Sequence, residues 1–499
     1  METEKPFDAL ILGSGIGGLS TGIILSRLHQ RVAVIEKNPL PGGLMRGYVR
    51  GGVGCPVGVH YFGAYGPGQP LRRMFDYLGV AEAVAAERMG QGSPIDRFVF
   101  DDFTFDLPEG IDAFAAALEE AFPEERRTIA TIVGNIRAMA DLQNSWALFS
   151  SPALPFPDVD LFQPLAHCLA KLNCSPRLRS VLSVTSSWMG LSEHDCPVIY
   201  HHLALASYLL SAWRLKGCGT DLAEAFTARF TGLGGYLICN DPAVEILTDG
   251  GMVSGVRLAS GRELRGTRIV AAIHPKTALA MLPEGTVAPR QARRIRGLAE
   301  TESLFSACVA LDARTHPELP HNVYRLHTDS AGWITDGVFH QFRASGAGTT
   351  LLTMITKSLF SEWHEWEDTT TGRRGAEYRA EKMRRADLLL RKAEEIFGPL
   401  NGAQVIDAYT PLTLRDWTSS PCGSPYGIMR SAQQLSVAAA LHRRSTSGLF
   451  FAGQNALAPG VLGTVLGSFH AVRQMIGHDR FAAEVLESLR SGSGTEATE

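Results

Sequence analysis

Phe7-Asp8-Ala9-Leu10-Ile11-Leu12-Gly13-Ser14-Gly15-Ile16-Gly17-Gly18 is the stretch on which the fold turns. A short apolar run reads as a strand, the glycines as a turn, and the pattern that follows through Leu28 as a helix. Each glycine has a mechanical reason to be there: Gly13 permits the tight turn, Gly15 lets a pyrophosphate approach the backbone, and Gly18 lets the helix pack closely on the strand. The helix amino terminus then offers free N–H groups to phosphate oxygens. A second apolar run, Arg31-Val32-Ala33-Val34-Ile35, ends at Glu36, 18 residues after Gly18, where a carboxylate reaches ribose hydroxyls and disfavours a 2′-phosphate. Strand, turn, helix, strand and acidic end in that order predict a dinucleotide-binding βαβ unit over residues 7–43.

The continuation separates two dinucleotides. Lys37-Asn38-Pro39-Leu40-Pro41-Gly42-Gly43 supplies a second glycine-rich turn directly after Glu36, which points to FAD rather than to a simple NAD site. Gly13, Gly15, Gly17, Gly18, Glu36, Lys37, Gly42 and Gly43 are therefore candidate cofactor contacts. No second nucleotide turn follows: Gly217-Cys218-Gly219-Thr220 lacks a third correctly spaced glycine and reads as the start of a helix. Electrons then come either from NAD(P)H entering the same cleft or from another reduced carrier, and the sequence leaves both open.

The bulk properties narrow the classes. The chain has 499 residues, 45% of them hydrophobic and 20% charged, the composition of a globular protein with several domains' worth of core. Its 47 basic and 51 acidic side chains give a formal charge of -4, so no global attraction to nucleic acid is expected. The eight cysteines contain no C-x-x-C pair and no His-rich partner spacing, which argues against a metal site or a disulfide framework and for reduced thiols. The start, Met1-Glu2-Thr3-Glu4-Lys5-Pro6, carries no cationic-then-apolar signal, and no apolar run reaches the roughly 18–20 residues of a bilayer span. The expectation is a cytoplasmic protein, with peripheral contact at a membrane surface left open. The sequence gives no reading of oligomeric state.

From the second glycine turn onward the chain resembles the FAD-dependent family of phytoene desaturases, carotenoid cis-trans isomerases and retinol saturases. Gly58-Val59-His60-Tyr61-Phe62-Gly63 is similar to the G-x-H-Y-x-G of retinol saturase-like members, and Thr410-Pro411-Leu412-Thr413 through Tyr426-Gly427 to their T-P-x-T…Y-G stretch, with Trp417 where tyrosine is common. Gly234-Gly235-Tyr236, Ala243–Ile246 and Gly255–Leu258 resemble the family's returning β-meander, which implies Val244 beside the adenine. The closing motif is Leu449-Phe450-Phe451-Ala452-Gly453-Gln454-Asn455, then Pro459-Gly460 and a helix from about Leu462. Here a strand delivers Gly453 to the cofactor, and the positive end of the helix favours an anionic reduced ring. Gln454, Val461 and Leu462 complete the candidate cofactor set. Leu44 stands where relatives often have arginine, with Arg46 the nearest substitute, and Pro56 stands in place of an acidic turn residue. The resemblance implies an enzyme of α/β class: a discontinuous Rossmann-type FAD-binding domain (1–75, 218–300 and 400–485), an α+β substrate or lid domain (76–217 and 301–399) and a disordered tail (486–499).

Within the lid segments, residues 111–147 and 161–213 read as mostly helical, with Ile129, Ile132, Ile136 and Met139 at spacings of three and four. Phe98–Phe100 and Phe103–Phe105 around Asp101-Asp102 read as a hairpin, and 305–311 and 349–356 as strands of a substrate sheet. Arg373–Phe397 reads as a charged amphipathic helix whose interleaved Glu and Arg make it a solvated face before a membrane face.

A flavin brings the hard chemistry, and the protein brings orientation and charge. His60 and Tyr61 are the best-placed pair for delivering a proton, against the alternative of a hydrogen-bonded structural histidine. Tyr426 is a second candidate donor, against packing on the cofactor. His201 and His202 open the apolar stretch Leu203–Trp213 and read either as pocket-lining or as structural. Trp188, Met189, Trp213 and Trp417 read as tunnel wall or as ordinary core. No Ser-His-Asp, metal or paired-carboxylate constellation stands out. The expected reaction is saturation, desaturation or isomerisation of a carbon–carbon double bond in a hydrophobic retinoid- or carotenoid-like lipid, with saturation preferred because the retinol saturase-like motifs dominate. A non-enzymatic lipid or prenyl carrier on the same fold is the rival from another class.

Overall fold

A computed structural model of the chain describes residues 5–146, 159–346, 348–439, 441 and 448–491. The quoted stretch folds as read: strand Ala9–Leu12, then helix Ile16–Arg27, then strand Val32–Ile35. These strands join Tyr236–Ile238, Ile269–Ala271 and Leu449–Phe451 in one parallel sheet of order Tyr236–Ile238, Val32–Ile35, Ala9–Leu12, Ile269–Ala271, Leu449–Phe451. Because side chains alternate along a strand, Ala9 and Ile11 face the helical layer while Leu10 and Leu12 face a second core on the other side. The first layer holds the helices Ile16–Arg27, Thr220–Gly232 and Gly460–Ile476, and the second the antiparallel meander Ala243–Asp249, Met252–Leu258, Glu263–Arg265. The continuous apolar runs of these strands are what a parallel sheet buried on both faces requires. A Rossmann-type α/β unit thus draws its strands from three distant parts of the chain.

The other large element is a seven-stranded sheet: Gln404–Tyr409, Ser303–Asp312, Thr349–Ser358, Ile334–Ala344, Asn322–Thr328, Asp96–Val99, Thr104–Leu107. It is antiparallel except where Asn322–Thr328 runs alongside Asp96–Val99. The helices Ile111–Ala121, Arg126–Asn144, Leu165–Lys171, Pro176–Ser187 and Val198–Leu210 build a core against one part of it, and Gly375–Phe397 with Trp363 builds another. Among the described residues no helix is long and apolar enough to cross a membrane.

Three boundaries differ from the sequence reading. Gln404–Tyr409 pairs with Ser303–Asp312, so this strand belongs to the large antiparallel sheet and not to the parallel sheet of the nucleotide unit. The helical reading of 161–213 ends at Leu210, because Ala212–Leu215 extends as a strand between Phe62–Gly63 and Ala86–Arg88. Glu487–Ser491 is helical with Leu489 buried, so the tail is ordered past 486, and residues 492–499 lie outside the described residues.

Candidate functional site

A cavity of about 670 Å³ starts at the carboxyl ends of the parallel strands, lined by Leu12, Gly13, Gly15, Ile35 and Glu36, and runs to the large antiparallel sheet, lined by Tyr324, Leu326, Phe339 and Ile355. The first position is where open α/β sheets bind ligands. A Cβ built on Gly15 meets nothing within 4 Å, so that turn leaves open space in front of its backbone. By contrast, a Cβ on Gly18 would stand 1.9 Å from the Gly13 carbonyl oxygen and one on Gly17 2.6 Å from the Gly453 Cα, which brings the front turn and the closing motif into backbone contact. Gly13, at φ +93, turns the chain in a region closed to ordinary side chains. The second glycine turn folds back on the first, Gly42 N–H donating to the Ser14 carbonyl at 3.1 Å, with Gly43 lining the cavity.

Glu36 is buried, and its carboxylate accepts from the Ser14 N–H at 3.0 Å, the Ser14 hydroxyl at 2.5 Å and the Asn38 N–H at 2.9 Å. The turn is therefore tied to the strand end that carries the acid. Lys37 also lines the cavity, but its ammonium is bound to the Asp416 carbonyl and the Ser419 hydroxyl, both at 2.6 Å, and burial holds it below its usual range against the pull of Glu36 and Asp416. It fastens the carboxyl end of the helix Pro411–Thr418, which carries Trp417, to the nucleotide unit. Gln454 donates to the Pro425 carbonyl at 3.0 Å and Asn455 accepts from the Ile428 N–H at 3.0 Å, so the closing motif clamps the Tyr426 loop over the cavity. Gly453, Gln454 and Val461 line the space, and Leu462 packs into the core beneath.

Several sequence candidates lie elsewhere. Val244 is 50% exposed because strand alternation turns Ala243 inward instead, and Pro242 and Ala243 line the cavity. Arg46 turns back to the Pro41 carbonyl and takes no place on the lining. His201 and His202 are buried in the helix Val198–Leu210, joined Nδ1 to Nδ1 at 2.8 Å, with His201 Nε2 at 2.8 Å from the Leu182 carbonyl. Burial lowers both, His201 to about 4, and they are structural. Trp188 and Trp417 line the cavity, whereas Met189 sits in a small core with Leu191 and Cys196, and Trp213 bonds Ser211 Oγ and packs on Tyr65.

His60, Tyr61 and Tyr426 all line the cavity. Both His60 ring nitrogens are buried and make no well-aligned hydrogen bond among the described residues; burial, then the Arg343 charge, lowers the imidazole to about 4 against the weaker opposing pull of the Val57 backbone and the Gln341 side chain, so it is neutral at ordinary pH. Burial raises the Tyr426 phenol to about 12. Tyr61 donates to Asp96 Oδ2 at 2.9 Å and lies 2.8 Å from the Tyr324 hydroxyl, with the Tyr208 ring tilted against it at 4.8 Å between centroids. Asp96, Tyr208, Tyr324 and Phe339 escaped the sequence reading. They sit on strands and a helix with no motif, and only the fold brings them to the His60-Tyr61 loop.

Residues 11–78 match the description of an NAD(P)-binding Rossmann-like domain. The chain is 22% identical to the all-trans-retinol 13,14-reductase of Danio rerio over 93% of its own length and 85% of that protein's. It is 25% identical to the all-trans-zeta-carotene desaturase of Myxococcus xanthus over 64% of its length and 62% of that protein's. Its fold is shared with an oxidoreductase from Methanosarcina mazei (15% identity, 93% and 99% covered, TM-score 0.65) and with cyclohexylamine oxidase from Brevibacterium oxydans (19% identity, 96% and 100% covered, TM-score 0.59).

Proposed function

We propose that this chain, a homologue of the retinol 13,14-reductases and carotenoid desaturases along most of its length, is an FAD-dependent oxidoreductase that reduces a carbon–carbon double bond of a hydrophobic polyene. The observation that carries the reading is one continuous cavity with a glycine-turn end and an aromatic end. At the first end Gly13, Gly15, Gly17 and Gly43 line the space with bare backbone while Gly18 and Gly42 permit the close packing behind it, the Glu36 carboxylate suits ribose hydroxyls, and the helix that starts at Gly460 offers its N–H groups. The open space in front of Gly15, where an added Cβ meets nothing, fits a bound pyrophosphate. FAD held there would supply two-electron hydride chemistry. Gln454 and Lys37 act as fasteners of the Tyr426 loop and of the helix end carrying Trp417, which bound the cavity.

At the other end Trp188, Tyr208, Leu326, Phe339 and Ile355 give an apolar wall suited to a polyene, and the hydroxyls of Tyr61, Tyr324 and Tyr426 are among the polar groups of the lining that orient it or hold a proton. Saturation is preferred over desaturation or isomerisation because the retinol 13,14-reductases match over more of the chain.

The test is the visible spectrum of the purified protein with added FAD, followed by anaerobic reduction and mixing with polyenes. The reading expects flavin bands that bleach on reduction and return when a polyene is added. A protein that takes up no flavin supports a lipid carrier instead, and bands that return only with an amine contradict the substrate class. Supplying NADH or NADPH in place of the chemical reductant identifies the electron source.

A further inference from the structure

Asp96 begins an inner strand of the large antiparallel sheet, has no exposed surface and lies directly behind the aromatic end of the cavity. Its two oxygens have different partners: Oδ1 accepts from the Asn322 side-chain amide at 2.8 Å, and Oδ2 meets the Tyr61 hydroxyl at 2.9 Å. Asn322 is held in turn by Gln341, whose amide donates to its oxygen at 2.8 Å and reaches towards the His60 carbonyl at 3.4 Å. The Tyr61 hydroxyl continues to the Tyr324 hydroxyl at 2.8 Å, and both tyrosines line the cavity. Resting on the proposed function, we infer that Asp96 is the proton store of the site, feeding the cavity through the hydroxyls of Tyr61 and Tyr324.

The geometry makes the chain directional. When Asp96 is ionised, Oδ2 accepts from Tyr61, and Tyr61 in turn accepts from Tyr324, so neither of these two hydroxyls has a proton left for the cavity. When Asp96 is protonated on Oδ2, it donates to Tyr61, Tyr61 donates to Tyr324, and the Tyr324 proton is free to turn to a substrate. Asn322 fixes which oxygen carries the proton, because its N–H groups can only donate to Oδ1. Burial, set against the hydrogen bonds from Asn322 and Tyr61, lifts the carboxyl to about 7, so both states are populated near neutrality.

The groups around Asp96 permit this. Tyr61 comes from the loop before Phe62–Gly63, Tyr208 from the helix Val198–Leu210, Asn322 and Tyr324 from the parallel neighbour strand, and Leu107 lies opposite on the antiparallel one. The next cation along the strand, Arg97, is paired with Asp106. Among the described residues no cation hydrogen-bonds the Asp96 carboxyl, so none holds it ionised.

In the transfer, a C–H bond forms between a substrate carbon and the Tyr324 proton, the Tyr61 proton moves to Tyr324, and the Asp96 proton moves to Tyr61. Asp96 is left as carboxylate. FAD held at the glycine end would, once reduced, supply the hydride with its electron pair for the other carbon, and Asp96 regains its proton from water between turnovers. Asp96 acts through the tyrosines and is a positioning and proton-supplying residue.

The test compares flavin-loaded wild type, Asp96→Asn, Asp96→Glu, Tyr61→Phe and Tyr324→Phe. Infrared difference spectra across about pH 5 to 9 should contain a buried carboxylic-acid band that titrates in wild type, vanishes in Asp96→Asn and shifts in Asp96→Glu. Wild-type kcat should fall with rising pH through the same titration. Asp96→Asn should lose kcat by about 100-fold or more with KM changed only a few-fold, each Phe variant should lose a comparable factor, and Asp96→Glu should restore part of it. An Asp96→Asn enzyme that keeps the wild-type pH profile, or that changes KM alone, overturns the proposal, as does a wild-type carboxyl that stays ionised across that range. A wild type that binds no flavin or turns over no polyene contradicts the proposed function instead, and the infrared titration then decides the proton-store assignment by itself.

Discussion

The Cα of Gly453 stands where a methyl group on Gly17 would lie only 2.6 Å away, so the first glycine turn and the closing motif of the chain pack backbone to backbone. Gly15, two residues earlier, has φ -61 and open space where its Cβ would be. The two positions therefore separate folding from cofactor binding. Gly17→Ala and Gly18→Ala should destabilise the protein by at least about 3 kcal/mol, since the obstructing atoms are backbone. Gly15→Ala should keep the wild-type Tm of the cofactor-free protein within a few degrees but lower flavin occupancy, with a bulkier residue abolishing it. Thermal melts with and without FAD check both, and full flavin occupancy in a Gly15→Trp protein contradicts the assignment of this turn.

Asp96 also makes stability depend on pH in a definite direction. Its folded value of about 7 lies above the ordinary carboxylate value near 4 of the unfolded chain, so the folded state binds the extra proton between them. The contribution is complete below about pH 4 and is lost as pH rises towards 7, by up to roughly 4 kcal/mol. Asp96→Asn should flatten that slope. Denaturant titrations of both proteins at several pH values measure it, and parallel slopes contradict the assignment.

Much of the nucleotide end was legible because it is local. Backbone sterics and phosphate access demand glycines at fixed offsets, so Gly13 to Gly18 and Glu36 declare themselves within one βαβ unit. The aromatic end was half legible: His60 and Tyr61 lie in a motif, but Asp96, Asn322 and Tyr324 reach them only through the parallel pairing of Asn322–Thr328 with Asp96–Val99, which no short spacing encodes. Another non-local pairing, with Ser303–Asp312, puts Gln404–Tyr409 into the antiparallel sheet. Val244 and the lining residue Ala243 differ by one step of strand alternation, which sequence spacing alone does not fix. His201 and His202 drew attention as a pair, yet each had a structural partner within one helix turn or on the adjacent helix.

His60 is a neutral imidazole in this site. Burial and the nearby Arg343 lower it to about 4, and a proton supplied by an imidazolium would require the charged form that these effects disfavour. The wild-type pH profile should therefore show no limb near pH 6.5 that belongs to histidine. His60→Phe removes two buried nitrogens that make no well-aligned hydrogen bond among the described residues and should leave Tm unchanged or slightly raised, with flavin occupancy retained. Profiles of kcat against pH for both proteins check this, and a limb near 6.5 abolished by His60→Phe contradicts it.

The direction of the chemistry is the central claim, and product mass tests it most directly. Flavin-loaded protein is reduced chemically, mixed without oxygen with a panel of retinoids and carotenoids, and the products are weighed by mass spectrometry beside a parallel reaction with oxidised flavin. The account predicts a product heavier by two hydrogens, formed only with reduced flavin and at one double bond. A product lighter by two hydrogens, or one of unchanged mass with shifted retention, contradicts it in favour of desaturation or isomerisation.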